Sequence, residues 1–168
     1  MPARCRRPPS KHASARLRAL GLERRPLSIY WKLLRDEPVA AEDVIRFLNA
    51  PRTPLEGAPT KEEALSIVSE RYPGRPYCIV EEWTVFEIEI TPEEAAKIQA
   101  RGQLPLFLFS HSVVEDSEGR FDAGDFVRSS MCVAFEKGVF FETRNTVYVL
   151  QGPGHKQLAT LQEVFAIT

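Results

Sequence analysis

Cys78, Cys132 and His111 are the side chains in this sequence whose types could do covalent chemistry together. Cysteine–histidine catalysis needs a thiolate, an imidazole and an orienting carboxylate brought within hydrogen-bond reach by the fold. Both cysteines lie in apolar, strand-like runs, YCIV and MCVAF, where a free Cys behaves as a small hydrophobe. None of the local signatures of known cysteine nucleophiles surrounds them, so a Cys/His-dependent hydrolase is the alternative here and not the leading expectation. His12, His111 and His155 are scattered and make no metal site. With Cys5 the thiols number three, without pairwise spacing, which argues against a disulfide framework and for reduced thiols in the cytoplasm.

Carboxylates are denser. Glu81, Glu82, Glu87, Glu89, Glu93 and Glu94 fall within fourteen residues. Glu87 and Glu89 alternate with Phe86, Ile88 and Ile90, which places them on one strand face roughly 7 Å apart. That spacing suits acid–base work or a hard cation, and equally a solvated strand face followed by an acid-rich helix start. It also suits an acidic surface that occupies a basic, nucleic-acid-binding groove on another protein.

In the stretch FFETRNTVYVLQGPG (140–154), Glu142 and Arg144 share one strand face, Thr143-Arg144-Asn145 is a candidate turn, and 146–150 a separate strand. The following Gly152-Pro153-Gly154-His155-Lys156 superficially suggests a phosphate loop. Pro153 has no N–H to point at an anion, and the GxxxxGK spacing is absent. It reads as a turn, and the sequence calls for no cofactor.

The elements that must position these residues are legible to different degrees. Residues 1–59 hold 8 of the 13 prolines and read as short pieces: helical spacing at 13–20, a stripe of Leu27, Tyr30, Trp31 and Leu34, and a third helix at 41–49. PRTPLEGAP (51–59) is a linker by composition. Thr60-Lys61-Glu62-Glu63 and Thr91-Pro92-Glu93-Glu94 are helix starts with capping-box chemistry. From 104 onward the pattern is almost entirely β, with a polar hairpin tip at 116–125 and a return strand at 126–135.

The expected fold class is therefore α+β: short N-terminal helices, then a curved antiparallel β-sheet over 104–150 packed on the helices of 60–72 and 92–101. Phe86, Ile88, Phe107, Phe109, Val133, Phe135 and Val149 are the expected core. The expected division is a basic arm (1–26), a helical lead-in with Pro-rich linker (27–59) and the α+β domain (60–168).

Charge is split along the chain. Residues 1–37 carry 10 Lys/Arg and 3 acids, and the remainder 12 and 20, so an arm of +7 precedes a body of −8 beneath a net charge of −1. No apolar run approaches the ~20 residues needed to cross a bilayer, so no membrane partner is expected.

The blocks PGRPYCIVEEW (73–83), FDAGDFVRSS (121–130) and FFETRNTVYVLQGPG together resemble a small uncharacterised bacterial domain family, over about 41–155. The resemblance implies a bacterial, cytoplasmic accessory protein, sometimes carried by phage or mobile elements. It supplies no catalytic residues. The functional expectation is a non-catalytic interaction module, an adaptor or an inhibitor of a host defence complex. Its expected partner is another protein or a protein–nucleic-acid complex. Glu81, Glu82, Glu87, Glu89, Arg144 and Tyr148 are the expected contact residues. Arg4, Arg6, Arg7, Arg16 and Arg18 of the arm could add nucleic-acid binding, although no recognised motif supports it.

Overall fold

Along the chain come helix α1 (Ala41–Asn49), strand β1 (Arg52–Glu56), helix α2 (Lys61–Arg71), strand β2 (Tyr77–Ile88) and helix α3 (Pro92–Gln99). Strands β3 (Leu106–Asp116), β4 (Val127–Arg128), β5 (Ala134–Glu136), β6 (Phe140–Glu142), β7 (Val147–Leu150) and β8 (Pro153–Ala159) and helix α4 (Leu161–Ala166) complete the order. The computed structural model describes residues 41–136 and 138–167. The arm, its arginines and the apolar stripe of 27–34 lie outside the described residues.

Side-chain capping starts three helices. The Thr60 hydroxyl accepts the Glu63 N–H at 3.2 Å and opens α2. Thr91 with Glu94, and Thr160 with Glu163, form complete capping boxes at α3 and α4, so each pair satisfies two backbone donors that a helix start leaves free.

Strand β2 is the axis of the sheet. One side pairs antiparallel with β3 (Phe86↔Phe107). The other side pairs in parallel, first with β7 (Tyr77↔Val147) and then with β8 (Thr84↔His155). The protein is α+β, with a mixed and not a purely antiparallel sheet. Hairpins announce themselves by adjacency, whereas parallel partners from the far end of the chain leave no local signal.

Beyond β4 the chain joins the two ends of this sheet. The Ser129 and Cys132 N–H groups donate to Leu108 O (2.8 Å) and Leu106 O (3.0 Å), and the Val133 N–H donates to Glu142 O (2.8 Å). Together with the β5–β6 and β6–β7 pairings, these bonds curl the sheet into a ring. Cys78, Val80, Trp83, Val85, Leu108, Phe141, Tyr148 and Leu150 fill its interior. Against the outer face, Ala64 and Val68 of α2 pack on Ile79, Val147 and Val149. Val164 of α4 packs with Phe86, Ile88, Phe107 and Phe109, and Phe47 of α1 joins that patch.

Five of the seven expected core residues are buried; Val133 and Phe135 are half-buried. Helix α3 buries none of its residues, and α4 takes the packing role expected of it. The linker-like PRTPLEGAP contributes β1, which pairs with β8 (Pro54↔His155) on the sheet edge, where a missing N–H is tolerated. In the segment read as a turn, only Gly152 turns (φ +67), and Pro153–Ala159 is strand. The return strand of 126–135 is reduced to β4 and β5, with the ring-closing bonds between them. Among the described residues, no helix is long and apolar enough to cross a membrane.

Candidate functional site

Val80, Trp83 and Val85 all point into the ring, although Val80 and Trp83 are three residues apart. In a strand, residues three apart face opposite ways, so β2 must contain one irregular residue between them. That residue is Glu82, at φ +52 the only non-glycine in the left-handed region among the described residues. A side chain there costs roughly 1–2 kcal/mol, because Cβ crowds the following carbonyl.

Strand β3 kinks in step with β2. Glu81 pairs with Ser112 and Trp83 with Ser110, which leaves Glu82 and His111 facing each other outside the ladder. The buried Ser110 hydroxyl plugs the gap. It lies 2.7 Å from the Glu81 carbonyl and 3.0 Å from that of Ser112, and it accepts the Ser112 N–H at 3.2 Å. On the outer side, the Ser112 hydroxyl donates to Glu81 Oε1 at 3.2 Å. The Gln151 N–H donates to the Val80 carbonyl (2.8 Å), which seats Gln151 beside the kink with its buried Oε1 accepting no hydrogen bond.

The kink falls between the two packed patches of the outer face, since Ile79 belongs to the α2 patch and Phe86 to the α4 patch. Glu82 and His111 are exposed there, with Glu81 half-buried beside them. His111 stands edge-on to Phe109 (4.8 Å between ring centres), whose ring also meets the exposed Phe126.

The other expected contact residues are dispersed. Glu87 follows the parity of Val85, on the opposite face from Glu81, and pairs with Lys156 at 2.6 Å. Glu89 lies past the end of β2, so it does not share a strand face with Glu87, and it meets Arg46 at 3.4 Å. Arg144 is exposed at the β6–β7 turn near the start of β2, ten residues or about 30 Å along the strand from Glu87. Tyr148 is 3% exposed inside the ring, which corrects its assignment as a contact residue. Strand β7 is buried along its whole length, so alternation gives it no solvent face.

The fold does not bring the candidate catalytic thiols together with His111. Burial pushes both the Cys78 and the Cys132 thiol up to about 12, the wrong direction for a thiolate nucleophile. Both fill the ring interior, while His111 is exposed on the outer face. Among the described residues, no cluster of His, Cys, Asp or Glu could hold a metal ion.

Elsewhere the polar side chains act as ties. Tyr72 donates to Glu142, which also takes Arg75 at 3.0 Å, fastening α2 to β6. Arg120 bridges Asp116 and the Thr146 hydroxyl (2.7 Å), anchoring the 117–126 loop to the start of β7. Arg128 donates to the carbonyls of Val164, Phe165 and Ile167 at the end of α4 and lies over the Phe165 ring. Burial, with the charge of Arg52 next in importance, holds His155 below the ordinary imidazole value, beside the Thr84 hydroxyl at 3.2 Å.

A kinked, curled mixed sheet with Glu82 at the kink of its longest strand defines an α+β domain. Over residues 57–166 the chain matches the family model described as a domain of unknown function (DUF6957), and it belongs to that family. The match takes in α4 and leaves out α1 and β1, unlike the 41–155 span of the sequence blocks. No curated protein and no solved structure matches the chain.

Proposed function

We propose that the chain is a non-catalytic binding module that docks the kink face, centred on Glu81 and Glu82, onto a basic surface of another protein. The observation that supports this most is Glu82 itself, an exposed carboxylate at a strained backbone position in the longest strand. Strain of this kind costs of order 1–3 kcal/mol and clusters where a protein binds or switches. Glycine would serve the kink more cheaply, so a glutamate at this position points to a use for the charge. The −8 body makes a cationic partner the complementary one, and a nucleic-acid-binding protein or complex offers such a surface. An inhibitor or adaptor in the bacterial cytoplasm, including a phage or mobile-element inhibitor of a host defence complex, is the biological form this proposal takes. The basic arm adds weak, salt-sensitive attraction to phosphate or acidic surfaces of the same complex, and not to the basic surface that the kink face meets.

The test is capture from host lysate with mass spectrometry, using the full chain, a Glu81→Lys/Glu82→Lys variant and a chain lacking residues 1–25. The charge reversal should abolish capture of the specific partner at low and high salt alike, with the circular dichroism unchanged. The truncation should weaken capture and flatten its salt dependence. If the truncation abolishes binding and the reversal does nothing, the arm is the functional element and nucleic acid becomes the leading partner.

A further inference from the structure

Glu82 faces His111 across the kink, and Phe126 stands on the far side of His111. Val127 pairs with Ser110, and the Asp125 carbonyl accepts the Val113 N–H at 2.7 Å, so the residue between them flanks His111. Glu82, His111 and Phe126 thus form an exposed row, one residue from each of three neighbouring segments, across two inter-strand spacings or roughly 10 Å. Phe126 is 47% exposed, and its ring meets that of Phe109, which also meets the imidazole of His111. Around the row the polar atoms are acceptors. One Glu81 carboxylate oxygen takes the Ser112 hydroxyl, and Gln151 Oε1 beside the kink is buried without a donor. Elsewhere in the molecule, a carboxylate beside an aromatic ring already holds an arginine. Arg75 pairs with Glu142 at 3.0 Å and lies over Tyr72, 5.5 Å from the ring centre. Arg120 pairs with Asp116 at 3.0 Å and lies over Phe121 at 5.8 Å. At the kink the carboxylates and the ring are present, and among the described residues no Lys or Arg pairs with Glu81 or Glu82 or lies over Phe126.

We propose that this row receives an arginine side chain of the partner, with the guanidinium seated between the Glu82 carboxylate and the Phe126 ring. The inference rests on the docking reading above and specifies its partner as a protein whose basic surface presents arginine. Lysine would satisfy the charge as well. A guanidinium adds a fork of five N–H donors that suits a group of acceptors, and a weakly hydrated plane that lies over an aromatic face. Both features are used where Arg75 and Arg120 sit. A lysine ammonium is more strongly hydrated and gains less from the ring, so the exposed Phe126 is what separates the two cations.

The test is an NMR titration of the full chain with capped triarginine and, separately, capped trilysine, followed at the backbone amides. Triarginine should shift Glu81, Glu82, His111 and Phe126 saturably and bind severalfold more tightly than trilysine. Phe126→Ala should lower the triarginine affinity to that of trilysine with the rest of the amide spectrum unchanged, and Phe126→Tyr should keep the preference. Glu82→Gln should weaken both peptides. Equal affinities that both fall with Glu82→Gln overturn the arginine assignment and leave the docking reading standing. A preference that survives Phe126→Ala also overturns the assignment, because the ring is then not the discriminator. Shifts at the kink with neither peptide overturn it together with the basic-partner reading on which it rests.

Discussion

Single side chains set the chemistry this protein can do, and the thiols show it most directly. A thiol ionises near 9.0 in an unfolded chain, whereas Cys78 and Cys132 hold their protons to about 12 when folded. Between those values the folded state keeps protons that the unfolded state has released, so stability falls as pH rises from about 9 to about 12. The slope reaches ~1.4 kcal/mol per pH unit for each thiol, and buried Tyr148 acts in the same direction. Urea midpoints across that window should drop, and Cys78→Ala or Cys132→Ala should flatten the slope while costing ~1–2 kcal/mol at neutral pH. A folded Cys→Ala protein that lost all function with its stability intact would instead restore the enzyme. At Glu82 the expectation has the opposite sign: Glu82→Gly should stabilise the domain by about 1 kcal/mol in urea unfolding while weakening partner capture. If stability and binding fall together, the residue is structural. At Gly154 a Cβ would sit inside the Trp83 indole, so Gly154→Ala should cost ~1–3 kcal/mol or more and shift the tryptophan emission.

The elements differ in how much they need the rest of the molecule, and that determines which could be read in advance. Helix α3 was legible because Thr91-Pro92-Glu93-Glu94 is a local start signal that needs no partner, yet the same signal says nothing about packing. Exposed Ala96→Gly should therefore cost under about 1 kcal/mol in thermal or urea unfolding, against about 2 kcal/mol for buried Val68→Ala in α2. A large loss at Ala96 would mean that α3 carries load this packing does not show. Strands β1 and β8 were missed because Pro54 and Gly152-Pro153-Gly154 are breakers in the middle of a sheet but are permissible at an edge or beside an indole. Of the acidic site, Glu81 and Glu82 were legible as residues, and two adjacent glutamates between Val80 and Trp83 already break strict alternation. The left-handed conformation was not, because it follows from the matching kink around Ser110 in β3. The exposure of Ile45 and Leu48 was hidden for a similar reason, since periodicity marks an apolar stripe without saying what covers it.

At the scale of the whole molecule, the basic arm and acidic body should separate experimentally. Removing residues 1–25 should leave the unfolding free energy of the domain within about 0.5 kcal/mol, since that segment offers little to bury, while changing the salt dependence of association. A cooperative loss of stability would make the arm part of the fold. The parallel pairing of β2 with β7 and β8 also governs when the fold can form at all. A nascent chain that has emerged as far as β6 presents Ile79, Val80 and Phe86 on a strand with one flank still open, because the neighbours on that flank have not yet been synthesised. Contacts so distant in sequence form late and slowly. The ring must then close after translation has passed Leu150, not progressively during it. A polypeptide stopped before Val147 would not be a smaller version of this domain but an open-flanked intermediate, prone to pair with its own copies on the ribosome.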